Sequence, residues 1–282
     1  MERNSDTGGR LSAQVRARLP ELRETEARVA QVVLDQGAAL VHLSVSDVAA
    51  LAGTAPSSVV RACQRLGFRG FQELKIEAAR QVVEPPSLPS DDPAAHALAE
   101  TVRASRDALD GVASTLDTTA LSAAADALQA APRVVVAAAG LSAAVALDAA
   151  YRLRALGCVV DAPADPLTAG LAAAQLPPDG ACLTVSHTGA TRTTVDTARH
   201  ARRAGATVIT ITSYARSPLS ETSSHVLVAG GQDLVFGLET SASRIAHLAA
   251  VDALVHTLMA LRPETARRHL DLSADITADH AY

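Results

Sequence analysis

Apolar positions recur at three- and four-residue spacing through residues 11 to 83, the period of amphipathic helices packing on one another. The pattern breaks at Glu84-Pro-Pro-Ser-Leu-Pro-Ser-Asp-Asp-Pro93, where four prolines fall in ten residues. Proline removes a backbone donor and disfavours helix in the residue before it, so this stretch predicts a stiff linker. Helical spacing returns over Ala94 to Leu109 and Thr119 to Ala130. After Pro132 the period changes. Short apolar runs at Arg133 to Ala139, Cys158 to Asp161, Ala181 to Ser186, Thr207 to Thr212 and His225 to Ala229 alternate with Ala-rich helical stretches. Strands buried on both faces read this way, which predicts an α/β domain: a five-stranded, doubly wound parallel sheet closed by a helix over about Ser241 to Leu261. The expected organisation is an all-α unit over 1–84, a linker over 85–93, an α/β domain with leading helices over 94–270, and a loose polar tail over 271–282.

Composition narrows this picture. Of the 282 residues 48% are hydrophobic, yet only 2% are aromatic and Trp is absent. The cores must therefore be Ala, Val and Leu, which suit close helix–sheet packing better than a β-sandwich. The net charge of −5 hides an asymmetry: eleven Lys and Arg face ten Asp and Glu up to Glu84, leaving fourteen against twenty beyond it. The N-terminal part is the better candidate for touching phosphates. Cys63, Cys158 and Cys182 are odd in number and sit in apolar segments, unlike a disulfide or thiolate-metal framework. The histidines show no ligand spacing, so no metal and no cofactor is expected. Met1 to Arg10 is polar, and the apolar run Val134 to Leu147 is too short to span a bilayer. The expectation is a cytoplasmic protein without a membrane segment.

Two segments carry chemistry. The first begins at Ser44 to Gly53, a short helix with Val48, Leu51 and Ala52 on one face and capping oxygens from Ser46 and Asp47. A turn through Thr54-Ala55-Pro56 leads to a second helix, Ser57 to Leu66, ended by Gly67. This is helix-turn-helix spacing. Val59, Cys63 and Leu66 form the packing face, and Ser57, Ser58, Arg61, Gln64 and Arg65 are expected to face outward. Hydroxyls and free N–H groups at a helix start suit phosphate, while Arg and Gln reach base edges. No acidic residue occurs from Val48 to Gln72, where Arg61, Arg65 and Arg69 stand; such a field favours duplex DNA.

The second is Ser186-His187-Thr188-Gly189-Ala190-Thr191, which follows an apolar run and opens a helix from about Arg192 to Ala204. Small hydroxyl residues and a glycine there let backbone N–H groups approach an anion, for which phosphate is the natural guest. Ala139-Gly140-Leu141-Ser142 occupies the same place after the first strand.

The segment Leu66-Gly67-Phe68-Arg69-Gly70-Phe71-Gln72-Glu73-Leu74-Lys75, with Glu26 to Leu34 and Asp47 to Gly53, resembles RpiR-type regulators, which join a helix-turn-helix to a sugar isomerase (SIS) domain. Ala55 stands where that family has Ser, and Ala62 where it has an aromatic residue. The loop at 186–191 resembles the SIS phosphate loop, which implies that Ser186, Thr188, Gly189 and Thr191 hold a phosphate. His187 could donate to the ligand, although a loop filler suits that position better. Gly140 and Ser142 match a Gly-x-Ser turn beside the sugar phosphate. Glu239 to Leu254 resembles the family's last block; Glu239 would contact sugar hydroxyls or brace a subunit interface, and would be the base if the chain were an enzyme. The resemblance implies a regulator, not an enzyme, that binds a double-stranded operator as a homodimer or dimer of dimers under control of a phosphorylated sugar. The alternative is a phosphosugar isomerase or sugar-phosphate lyase.

Overall fold

The computed structural model describes residues 10–82, 92–230, 234–235, 238–239 and 241–279. The proline stretch expected to be the linker lies almost entirely outside them. The chain forms two units: one holds the residues up to Val102 and a short strand pair beyond position 231, and the other runs from Arg103 to Gly231 and again from Ser241.

In the first unit α1 (Arg10–Arg18), α2 (Glu24–Gln36), α3 (Val45–Leu51), α4 (Pro56–Arg65) and α5 (Phe71–Val82) enclose a core of Val15, Val29, Val33, Leu40, Val48, Val59, Cys63, Leu66 and Leu74. Their ends are marked by sequence. Gly53 and Gly67 adopt φ of +60° and +94°, the left-handed region that suits glycine at the end of a helix. At the latter, Phe68 N–H donates to Cys63 O at 2.9 Å and Gly67 N–H to Gln64 O at 3.0 Å. Lys75 is 2% exposed; its Nζ donates to Leu43 O at 2.9 Å and lies 5.9 Å from the Phe71 ring centre. The strand pair β6 (Leu234–Val235) and β7 (Leu238–Glu239) is antiparallel and belongs to this unit.

The second unit is built on β1 (Val134–Ala138), β2 (Val160–Asp161), β3 (Ala181–Val185), β4 (Thr207–Thr212) and β5 (His225–Val228), all parallel, in the order β2-β1-β3-β4-β5. Every predicted strand forms. Alternate residues feed opposite faces. Val134, Val136, Leu183, Ile209 and Ile211 pack beneath α7 (Thr118–Ala130), α8 (Ala143–Ala155) and α11 (Ser241–Leu261). Val135, Cys182 and Val208 meet α9 (Pro166–Ala174) and α10 (Arg192–Arg203). The helices present Ala124, Ala125, Ala149, Ala150, Ala198 and Ala250, all at most 1% exposed, which lets them approach the sheet closely.

Two elements differ from expectation. α6 runs from Pro93 to Thr115, past Gly111, because Val112 is buried and Thr115 Oγ1 donates to Val228 O at 3.0 Å. The tail expected to be loose from Asp271 is helical instead: α12 spans Pro263–Ala278, where no Gly or Pro interrupts residues 264–278 and Ala266 anchors the first turn. α11 is also long and apolar enough to cross a membrane by length and composition, but Ala246, Ala250, Val251 and Leu254 place it in the core of this unit.

Candidate functional site

The DNA-reading candidates lie on α3 and α4. Ser44, rather than the expected Ser46, caps α3: Asp47 N–H donates to Ser44 Oγ at 3.1 Å, Ser44 N–H donates to Asp47 Oδ2 at 3.0 Å, and Ser46 is buried. α4 begins without a side-chain cap at Ala55; Pro56 at the first helical position has no N–H to satisfy, which lowers the need for one. Its outward face carries Ser57, Val60, Arg61, Gln64 and Arg65, with Val59, Ala62, Cys63 and Leu66 inward. Ser58 departs from expectation. It is 9% exposed and its Oγ accepts from Arg61 Nη2 at 2.9 Å, so it orients that arginine instead of facing outward. Its spacing to Ala62 and Leu66, four and eight residues on, already places it on the buried side. The same period, from Ser57 through Arg61 to Gln64, would have found Val60, which is 36% exposed and suits a thymine methyl. α1 fixes the far end of α4, with Gln14 Nε2 donating to Leu66 O at 2.9 Å and Arg18 Nη1 to Arg65 O at 3.1 Å. Burial pushes the Cys63 thiol up to about 12, which keeps it a packing residue.

The anion-binding candidates lie in the second unit, at the carboxyl ends of β1 and β3. These strands are neighbours, and the chain proceeds in opposite directions from them across the sheet. That is the topological switch point at which open α/β sheets bind ligands. After β1, Gly140–Ser142 makes a single helical turn with Gly140 at φ +59°, leading straight into α8. After β3, Ser186–Thr191 leads into α10, with Ser186 Oγ 3.3 Å from Thr191 Oγ1 and Ala190 N–H donating to Thr188 Oγ1 at 3.2 Å. Gly189 has φ +60°, and a Cβ there would lie 2.1 Å from Ser217 Oγ and 2.5 Å from Ser217 Cβ.

The charge at the helix starts is selective. α7 and α9 are capped by Asp117 and Asp165, whose carboxylates accept from the N–H groups of Thr119 at 2.7 Å and Thr168 at 2.8 Å. The Thr168 hydrogen bonds hold the Asp165 carboxyl below the usual carboxylate range. α8 and α10 have neither a side-chain cap nor an acid in the first turn. The two helix starts, on adjacent strands, thus carry neither a side-chain cap nor a first-turn acid to offset their partial positive charge.

The structure brings Gly140, Ser142, Ser186, Thr188, Gly189 and Thr191 to this end of the sheet. It turns His187 away. That imidazole is 3% exposed, with Nδ1 2.9 Å from Ser213 Oγ, and Ser213 Oγ is in turn 2.9 Å from His247 Nε2. An inward side chain corrects the expectation that His187 could donate to a ligand. Glu239 lies on β7 in the first unit and not in the unit that carries the loops. Asp252 Oδ1 pairs with Arg152 Nη1 at 2.7 Å. Two hollows of the second unit lie elsewhere. One of about 300 Å³ lies beside Leu128, Cys158, Arg262 and His269, and another of about 420 Å³ beside Leu167, Leu171, Thr193 and His200. Neither is lined by Gly140, Ser142 or Ser186–Thr191. Among the described residues no group of three or more His, Cys, Asp or Glu is placed to hold a metal.

Comparison with known proteins agrees with both halves. The helix-turn-helix domain of the rpiR family matches residues 9–84 and the SIS domain matches residues 127–262. The HTH-type transcriptional regulator HexR of Pseudomonas aeruginosa is 30% identical over 86% of this chain and 87% of its own. An uncharacterized HTH-type transcriptional regulator of Caldanaerobacter subterraneus is 27% identical over 89% of this chain and 91% of its own. The NanR protein of Vibrio vulnificus, solved in complex with ManNAc-6P, superposes with a TM-score of 0.83 at 22% identity, covering 96% of this chain and 99% of that one. With a helix-turn-helix head matched over residues 9–84, a SIS body over residues 127–262 and a 30% identical regulator aligned over 86% of the chain, the protein belongs to the RpiR family of transcriptional regulators.

Proposed function

We propose that this regulator binds a phosphorylated sugar at the loops after β1 and β3, and that occupancy of this site changes its affinity for operator DNA. The observation that carries the reading is the pair of acid-free, side-chain-uncapped helix starts, α8 and α10, side by side at the switch point. Acid caps on α7 and α9 fill the equivalent need elsewhere. In this reading the phosphate takes the N–H groups of the two helix starts with the hydroxyls of Ser142, Ser186, Thr188 and Thr191, and Gly140 and Gly189 allow its close approach. The phosphosugar complex of NanR is in keeping with it.

At the DNA, Ser57 and the start of α4 would meet phosphates while Arg61, Gln64 and Arg65 reach base edges, with Ser58 holding Arg61 in place. The reading includes a cytoplasmic protein without a membrane anchor, acting as a homodimer or dimer of dimers. A two-fold symmetric dimer requires a palindromic operator with half-sites about 34 Å, or a multiple, apart.

The isomerase or lyase alternative uses Glu239 as base and needs a second acid–base group. The imidazole nearest the loop, His187, is buried against Ser213, and the named relatives are regulators.

The test is a gel shift on DNA upstream of the chain's own gene, with and without a panel of hexose and N-acetylhexosamine phosphates. The expected result is a shift that one panel member alters. The double variant Ser186→Ala/Thr191→Ala should keep the shift and lose the response. Absence of a shift together with turnover of a sugar phosphate would overturn the proposal.

A further inference from the structure

Beneath the loop after β3, three polar side chains are buried together where apolar packing would cost less. Ser213 is 6% exposed and His247 1%, beside the buried His187, and such burial is unfavourable unless each group finds a partner. Ser213 serves both histidines. Its hydroxyl lies 2.9 Å from His187 Nδ1, 2.9 Å from His247 Nε2 and 3.4 Å from Ala229 O; donating to the carbonyl would leave its two lone pairs to accept from both rings. Burial, reinforced by the neighbouring His187, pushes the His247 imidazole down to about 3, which keeps it neutral near neutral pH.

The cluster also ties backbone segments together. Ser213 N–H and Thr212 Oγ1 both donate to His187 O at 3.1 Å, and Ala229 N–H donates to Thr212 O at 2.9 Å. The loop and the ends of β4 and β5 are therefore one hydrogen-bonded body, and His247 adds α11 to it. His247 stands in the second turn of α11, just after the chain returns from β6 and β7, the strand pair of the first unit. A buried polar network satisfied in one arrangement has few alternatives, so displacement of one member is passed to the others.

We propose that the His187–Ser213–His247 chain couples the anion loop to the first turns of α11, so that filling the loop is transmitted to the segment leading back to the DNA-reading unit. This rests on the loop being the sugar-phosphate site. Ser213 and His247 act as positioning residues that touch neither ligand nor DNA.

The test uses the full chain, its operator DNA and the sugar phosphate that most alters wild-type DNA binding. His247→Leu and Ser213→Ala should each keep the DNA Kd without ligand, and the ligand Kd of the DNA-free protein by calorimetry, within about threefold of wild type. The ratio of DNA Kd with and without ligand should fall below about twofold, and by reciprocity so should the ratio of ligand Kd with and without DNA. His247→Gln, whose amide N–H can stand in for Nε2–H, should recover much of the wild-type ratio. Ser213→Ala removes one hydroxyl only and decides the matter should His247→Leu not fold. A wild-type ratio in these variants overturns the proposal. So does a ligand Kd that weakens in step with the ratio, since the cluster would then merely support the loop. A wild-type protein unresponsive to every sugar phosphate overturns the assignment of the loop, and the coupling with it.

Discussion

Gly189→Ala tests the anion loop directly. Two costs add. An L-residue at the φ of +60° held by Gly189 costs roughly 1–2 kcal/mol. The new methyl would also sit 2.1 Å from Ser217 Oγ, and overpacking of this kind costs about 1–3 kcal/mol. Ser217 cannot easily yield: it is fully buried, its N–H donates to Ser220 Oγ at 2.7 Å, and Leu219 N–H donates to Gly189 O at 2.9 Å. The sum, about 2–5 kcal/mol, predicts a fall in Tm of about 4–20 °C for a domain of this size. Scanning calorimetry with and without sugar phosphate is the assay. Ligand at a hundred times its Kd should stabilise the wild type by about 2.7 kcal/mol, and the variant should lose that increment. Adding Ser217→Gly removes the steric part only, so a double-mutant cycle should show a coupling of about 1–3 kcal/mol. A variant that melts within about 1 °C of wild type and keeps its ligand-induced rise would refute this account of the loop.

Three further outcomes follow from the geometry. Arg61→Ala should weaken operator binding by about 1–3 kcal/mol, roughly 5- to 150-fold, without lowering Tm; a stability loss at unchanged affinity would mean that Arg61 serves packing. The His247 imidazole is depressed to about 3 from an ordinary 6.5, so below pH 6.5 the unfolded state binds the proton and the folded state does not. Stability from this group is therefore present above pH 6.5 and lost as pH falls, by about 1 kcal/mol between pH 7 and 5.5; urea unfolding should show that drop in wild type and not in His247→Gln. Burial pushes the thiols of Cys63 and Cys182 up to about 12, so iodoacetamide at pH 8 should leave both unmodified in the folded protein and label them after unfolding, as read by mass spectrometry.

Much of this molecule was legible along the chain because its devices are local. Five continuous apolar runs became five parallel strands, since a strand buried on both faces has no polar side to alternate with. Gly53 and Gly67 marked helix ends because only the φ of the next residue is at stake. The small hydroxyl residues and glycines after the β1 and β3 runs could be read as a place for an anion from the order of residues along the chain.

What the tertiary structure decided depends on which segments meet. The order β2-β1-β3 put two loops 46 residues apart, Gly140 and Ser186, on adjacent strands; strand order is set by crossovers and packing, which no local period encodes. His187 stood in the loop as a possible ligand contact, and only its approach to Ser213 and His247, 26 and 34 positions away from their partners, turned it inward. The segment after Asp271, up to Ala278, offers only Leu272 and Ile276 as large apolar residues, and both stay exposed, yet it extends a helix whose first turn is anchored by Ala266. Sequence determined the elements and the chemistry each carries, because propensity, capping and burial period act within a few residues. Which of those chemistries share a site is settled by the long-range packing of the sheet.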